Sequence, residues 1–353
     1  MKKQWKVILS IFAVLLVMAV IVPQNATAAT GYKRVNLDSI TNMWDNNQKA
    51  WVPTARVKYG KKYYWATTDG VDYHNGSGCA IYKINYYCST SKTGKGTKLF
   101  SNYEMYGGDQ DNTEFFTNGT YIIKSATSKS SPNMYVYRYN MKGKSKKTLQ
   151  TFKAGSSSSV KGSSSYCEAN IVNIYGGKVY VSYFASGFNQ KVKIVSFPVS
   201  KKKAYKKVSD TANYFSSCSG KYLGLGSSSG TYIYDLKTGK KLKISSAAAK
   251  YLGKYNSKEY YYTYSDSKTI IYSANSAWKK RTKVFTIKSA TYPFIKGKYI
   301  YYDFWDSSKE EYRTFYKYDI AKKTKTKITE EEYIKAYSSY YNRKPIKDTY
   351  YQN

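Results

Sequence analysis

Histidine and acid are scarce in this chain. His74 is the only histidine among 353 residues, so a multi-histidine metal site cannot be built from it. It lies in the turn-rich stretch TTDGVDYHNGSG (67–78) and reads as an exposed loop residue. Asp and Glu together number 22 against 58 Lys and Arg, so any cluster of carboxylates stands out from the background. Long apolar runs are also missing, with one exception at the N-terminus. That run, Val7–Val22, has 16 residues and is short for a spanning helix of ~20. Lys2, Lys3 and Lys6 precede it, Pro23 breaks it, and Ala26-Thr27-Ala28 is a small-residue cleavage pattern. Residues 1–28 are therefore expected to be a signal peptide cleaved after Ala28, which lowers the formal net charge of +36 by three. No long amphipathic helical pattern occurs in the body, which argues against an α/β fold.

Four cysteines are present, Cys79, Cys88, Cys167 and Cys218. Export permits disulfides, and four cysteines allow three pairings. If 80–87 is one strand, Cys79 and Cys88 lie roughly 30 Å apart at about 3.3 Å per residue. A disulfide needs Cα atoms within about 7 Å, so that pair requires a turn near Lys83–Asn85. Four free buried thiols are the alternative.

Tyrosine, by contrast, appears 43 times. Its flat ring packs on a pleated strand face while its hydroxyl reaches water. Lysine suits exposed strand faces and edges, where repulsion discourages sheet-to-sheet aggregation. The two are combined in a repeated phrase. In SSGTYIYDLKTGKKLKISS (228–246) apolar residues alternate up to a Lys-Thr-Gly-Lys turn and again beyond it. Period-two alternation marks strands with one buried face, and the turn glycine accepts positive φ. Six copies occur. Each has a front strand after a turn, anchored at Gly60, Gly119, Gly177, Gly220, Ser257 and Gly297, with spacings of 59, 58, 43, 37 and 40. Each continues into a second strand and a basic turn, at 80–100, 134–152, 192–209, 231–245, 269–287 and 315–329. Four-stranded units of about forty residues predict an all-β fold, a β-propeller of six blades of four antiparallel strands, with seven blades as the alternative.

The phrase G-K-x-x-Y followed by Y-x-Y-D-x-K-T-G-K, best seen in 232–244 and 315–328, resembles the blade of secreted bacterial propellers of the TolB-like kind and related domains of unknown function. The resemblance covers Arg56 to Thr329. It implies the fold and leaves activity open, because propellers host many functions. WD-repeat and kelch signatures are absent. The expected organisation is a lead-in segment at 29–55, the propeller at 56–329 and a tail or short helix at 330–353. Thr30–Thr54 is expected to hold a leading strand that completes the last blade. Thr329-Glu330-Glu331-Glu332 resembles a capping box, and AGSSSSVKGSSS (154–165) reads as a flexible loop.

Carboxylates are the first place to look for chemistry. Asp109, Asp111 and Glu114 in GGDQDNTE sit at spacing that resembles half of a calcium loop, without its central glycine and distant glutamate. Asp69 and Asp72 could each form an acid/base pair with a carboxylate from another blade, as a glycosidase requires with its two carboxyl groups about 5–10 Å apart, and Asp69, Asp109 or Glu114 would then stand in the mouth. That defines the alternative function, an extracellular propeller enzyme acting on polysaccharide. The glycine-rich TGKGTK (93–98) and GKYLGLG (220–226) look like phosphate loops, but a phosphate cradle needs a strand feeding a helix, and both lie in hairpins.

The lysines carry the favoured reading. Lys201, Lys202, Lys203, Lys206 and Lys207 crowd one turn, Lys279, Lys280 and Arg281 another, and Lys322 and Lys323 a third. Lys142, Lys144, Lys146 and Lys147, and Lys240, Lys241 and Lys243, repeat the theme. In a propeller these equivalent positions share one rim. A basic rim captures polyanions, weakly and in a salt-sensitive way, because lysine is a point charge without the planar fork used for base reading. The expectation is a secreted, cell-surface-associated, non-catalytic monomer without a cofactor. It would bind anionic wall polymers or glycans and present its central mouth to a glycan or a protein. Contact with membrane would be peripheral and electrostatic. Extracellular DNA is a further candidate, since tyrosines interleaved with lysines can stack on bases.

Overall fold

A computed structural model describes residues 31–340 except 36, 38–43, 46–49, 52–55, 70, 72, 76–79, 107–113, 143–144, 156–166, 186–191, 213, 218–219, 228, 266, 290 and 306–312. The readings made for residues 1–28, Asp72, Cys79, Asp109, Asp111, Lys144 and Cys218, most of 154–165, and 341–353 lie outside the described residues.

Among the described residues the chain forms six larger antiparallel sheets in succession, apart from one two-stranded hairpin. The first contains Val57–Tyr59, Lys62–Thr68, Ala80–Ser89 and Thr97–Tyr106. The second contains Phe115–Thr117, Tyr121–Ala126, Met134–Asn140 and Lys146–Phe152. The third contains Cys167–Tyr175, Lys178–Ala185, Val192–Pro198 and Lys206–Ala212. The fourth contains Tyr214–Ser217, Tyr222–Ser227, Gly230–Asp235 and Lys241–Ser245. The fifth contains Ala249–Tyr255, Lys258–Ser265, Lys268–Asn275 and Arg281–Ile287. The sixth contains Phe294–Lys296, Tyr299–Trp305, Arg313–Asp319 and Thr324–Ile328. Each sheet is a meander, so every strand pairs with its sequence neighbour. The architecture is all-β and propeller-like, as the repeat predicts.

Alternation decides which side chains are buried. Along Met134–Asn140, Met134, Val136 and Tyr139 are buried while Tyr135 and Arg138 are half-buried. Facing sheets then share their apolar residues. Tyr64, Ile84, Tyr86 and Phe100 of the first sheet pack with Phe115, Ile122 and Tyr139 of the second. Phe116, Val136 and Phe152 continue the contact to Val179, Val195 and Phe197 of the third. Val172 and Ile194 meet Leu223 and Leu225, Ile233 meets Ala249 and Tyr261, and Leu252, Tyr260 and Tyr262 meet Ile295, Ile300 and Tyr302. Buried clusters thus link consecutive sheets from the first to the sixth.

The ends depart from expectation in one respect. Lys33–Val35 does not complete the last sheet. It adds a fifth strand to the second, pairing antiparallel with Phe115–Thr117 in the register Arg34↔Phe116. The reason is local. Phe115–Thr117 is the edge strand of its four-stranded meander, and docking there buries Val35 and Leu37 in the cluster between sheets one and two. A small hairpin, Trp44–Asp45 with Ala50–Trp51, lies beside Lys62–Thr68. At the other end helix α1, Glu330–Tyr340, begins where the Thr329 hydroxyl accepts the Glu332 amide at 3.1 Å. Its Tyr333 and Ala336 cover Phe294, Tyr301, Phe315 and Ile328, the face of the sixth sheet turned away from the fifth.

Candidate functional site

The meander topology sorts the turns. Strand one of each sheet leads up, and four antiparallel strands return the chain to the end where it entered. Two links between sheets are short: Ala212 and Tyr214 flank the one between sheets three and four, and residues 246–248 join four to five. Turns joining strands one to two and three to four therefore gather at one end of the assembly. The strand ends that flank the two-to-three turns, and those that flank the links between sheets, gather at the other.

The lysine-rich turns are all of the three-to-four kind. Lys201, Lys202 and Lys203 lie between Val192–Pro198 and Lys206–Ala212, and are exposed with Lys206 and Lys207. Lys279 and Lys280 lie before Arg281, whose guanidinium donates to the Lys243 carbonyl of the preceding sheet. Lys322 and Lys323 occupy the turn of the sixth sheet, and Lys142, Lys237 and Lys240 those of the second and fourth; all are exposed. The one-to-two turns add Lys61, Lys178, Lys221, Lys258 and Lys298 at the same end. The fourth strands continue the charge with Lys146, Lys147, Lys241, Lys243, Lys325 and Lys327. Some of these lie across tyrosine: Lys146 Nζ is 3.7 Å from the Tyr137 ring centroid and Lys325 Nζ 3.8 Å from that of Tyr316. Burial of the Lys146 stem pulls its ammonium below the ordinary lysine range.

Two aspartates at this end are engaged by the turns themselves. Asp235 Oδ1 accepts the amides of Lys237 and Thr238 at 2.8 and 3.2 Å, and its other oxygen holds Lys221 at 2.7 Å. Asp319 repeats this, accepting Ala321 and Lys322 at 3.0 Å each and holding Lys298 at 2.9 Å. Lys298 and the two amides hold the Asp319 carboxyl below the usual carboxylate range. Burial opposes the same effect at Asp235 without reversing it. Ser89, Asn140 and Asn275 cap the equivalent turns through neutral oxygens. The aspartate of the repeated Y-x-Y-D phrase is thus a turn cap. Among the described residues no carboxylate pairs with Lys201, Lys202, Lys203, Lys279, Lys280, Lys322 or Lys323.

Of the carboxylates singled out by sequence, the two described, Asp69 and Glu114, lie at the opposite end. Asp69 is exposed and accepts the Val71 amide at 3.3 Å and the Tyr73 hydroxyl at 3.0 Å. Glu114 faces Arg34 of the added strand at 3.4 Å, and the same guanidinium donates to Val172 O of the third sheet at 3.1 Å. Arg34 was not anticipated, and it neutralises the one described member of the GGDQDNTE cluster. No group of three acidic, histidine or cysteine side chains able to hold a metal occurs among the described residues. Cys88 and Cys167 are buried free thiols, and burial pushes Cys167 up to about 11. Ala80–Ser89 is one continuous strand, without a turn at Lys83–Asn85.

A second unanticipated group is buried between sheets one and two. Lys124 is fully enclosed, 3.1 Å from Glu104, whose carboxylate also accepts the Tyr86 hydroxyl. Burial raises the Glu104 carboxyl, and Lys124 opposes that. A lysine inside the apolar run YIIKSA was the available signal.

No protein-family model matches the chain, and no curated protein matches it. Solved structures similar to it include an oligogalacturonate lyase in complex with manganese, at 10% identity and TM-score 0.45, covering 79% of this chain and 85% of that one. A Listeria monocytogenes protein is similar at 10% identity and TM-score 0.47, covering 73% and 83%. TolB from Acinetobacter baumannii is similar at 10% identity and TM-score 0.34, covering 74% and 78%. Among the described residues no helix is long and apolar enough to cross a membrane.

Proposed function

We propose that the six sheets are the blades of a ring whose seam, between the sixth sheet and the first, is filled by helix α1. On this reading the chain is a secreted, non-catalytic propeller that holds anionic polymers of the cell envelope at its basic end and leaves the opposite end for a second ligand. The leader read in residues 1–28 supports export. The observation that carries the reading is the gathering of exposed lysine turns from successive sheets at one end, where Asp235 and Asp319 are committed to capping turns. Exposed charges of one sign raise the local concentration of a polyanion over the whole surface, and the attraction fades with ionic strength.

The test is retention of the chain, from residue 29 onward, on isolated cell wall. It should bind at roughly 0.1 M salt and elute as salt approaches ~1 M, where the Debye length falls to about 3 Å. A variant with Lys201, Lys202, Lys203, Lys279 and Lys280 all changed to serine should elute at distinctly lower salt. Passage through the column at roughly 0.1 M salt would overturn the proposal.

A further inference from the structure

Because tyrosine is packed nearly everywhere in this chain, an exposed one is informative. Among the described residues three tyrosines are exposed by more than a third, Tyr205, Tyr264 and Tyr292, and Tyr292 reaches 68%. Two of the three stand together. The rings of Tyr264 and Tyr292 have centroids 6.2 Å apart and planes at 58°. Lys250 serves both, its ammonium 5.5 Å from the first centroid and 5.0 Å from the second. Lys250 is the second residue of strand one of the fifth sheet, Tyr264 lies near the end of strand two, and Tyr292 belongs to the link into the sixth. All three therefore lie at the end opposite the basic turns, where sheets five and six meet.

The link is held from beneath. The buried Thr269 hydroxyl donates to Ser289 O at 3.0 Å and accepts the Thr291 amide at 3.1 Å. The Thr291 hydroxyl bonds Asp303, whose other oxygen holds Arg313 at 2.9 Å. Thr291 and Phe294 are buried on either side of the exposed ring. A rigid backbone that projects an aromatic side chain into water loses little freedom when that side chain binds. Packing against the fold does not account for Tyr292, since most of its surface faces solvent.

We propose that Tyr264, Tyr292 and Lys250 form a subsite for an acidic pyranose unit of a glycan. One flat face of the sugar lies on the Tyr292 ring, and its carboxylate pairs with the Lys250 ammonium. The aromatic plate offers apolar surface for contact and the one convergent charge fixes orientation. The inference deepens the reading above by naming the ligand class at the free end, and it rests on that reading only for a glycan being the natural partner.

The experiment titrates the chain, from residue 29 onward, with hyaluronan tetrasaccharide by isothermal calorimetry. Neutral cellotetraose and an oligothymidylate are the comparisons. Salt is kept near ~0.3 M to screen the basic end. The acidic sugar should bind and the neutral one bind several-fold more weakly. Tyr292→Ala should weaken the acidic sugar at least fivefold, and Lys250→Gln should abolish the preference for acid over neutral. The serine variant of the lysine turns should bind the tetrasaccharide like the parent, so loss there would move binding to the basic end and overturn this site alone. Unchanged binding by Tyr292→Ala, equal affinity for the two sugars, or tighter Tyr292-dependent binding of the oligothymidylate would also overturn it.

Discussion

At the scale of single residues the three-to-four turn shows where charge and backbone conflict. Gly239 and Lys323 occupy equivalent places in the fourth and sixth sheets. Each donates its amide to the carbonyl of the capping aspartate, at 2.7 Å to Asp235 and 2.8 Å to Asp319. Both are left-handed, with φ of 73° and 56°. Glycine adopts that conformation freely, whereas a residue with a Cβ is disfavoured there by about 1 kcal/mol. Lys323→Gly is therefore expected to raise unfolding free energy by about 0.5–1 kcal/mol in urea titration, and Gly239→Ala to lower it by about as much. A built Cβ at Gly239 meets only the Tyr234 hydroxyl at 3.5 Å, so strain and not collision would be measured. Destabilisation by Lys323→Gly would show that contacts of the lysine outweigh its backbone. Lys323 is thus costly to the fold where it stands, in keeping with a charge placed for the surface. Trp278, at φ 62°, is also left-handed in the turn of the fifth sheet. There the indole folds back into the core beside Tyr251 and Tyr261, and its Nε1 has no hydrogen-bond partner in the structure.

At the scale of elements the contact between the first two sheets rests on an ion pair inside an apolar seam. Lys124 comes from strand two of the second sheet and Glu104 from strand four of the first. The ammonium also donates to Glu114 O at 3.1 Å and lies 5.3 Å from the Tyr86 ring centroid. Removing one partner strands the other without compensation. Lys124→Met is expected to cost about 3–5 kcal/mol, and adding Glu104→Gln, which keeps an acceptor for Tyr86, to restore at least half. Thermal or urea unfolding of the single and double variants checks this; equal instability of the two would assign the loss to packing. Strands two, three and four of each unit were legible in the sequence, because they are long enough to alternate and end in glycine or lysine turns. Strand one was not. In sheets one, two and six it has three residues, Val57–Tyr59, Phe115–Thr117 and Phe294–Lys296, too few for a period of two to register. The buried Lys124 was missed for a related reason, since composition marks lysine as surface and only the facing sheet supplies the carboxylate.

For the whole molecule, repetition in the sequence announced the number of sheets but not what covers the first and last of them. The docking of Lys33–Val35 on the second sheet is a long-range pairing of three residues, with no local pattern to reveal it. The recurrence of lysine at the three-to-four turns was legible because those turns repeat in register, whereas the group of Lys250, Tyr264 and Tyr292 depends on two strands and a link meeting in space. The seam is where the ring can be tested. One face of the sixth sheet packs on the fifth, and the other lies under α1, where Tyr333 has ring centroids 5.5 Å from Phe294 and 4.7 Å from Phe315. If the helix fills the seam, Tyr333 is a core residue of the closure and its loss leaves a cavity between elements. Tyr333→Ala should then cost about 3–5 kcal/mol, the range for truncating a buried large aromatic side chain. Ending the chain after Thr329 should go further, uncovering Phe294, Tyr301, Phe315 and Ile328 together, and drive self-association visible by light scattering. Should both changes leave unfolding free energy and monomer size as they were, the sixth sheet must be covered by the first directly, and the helix is an appendage to a ring already closed.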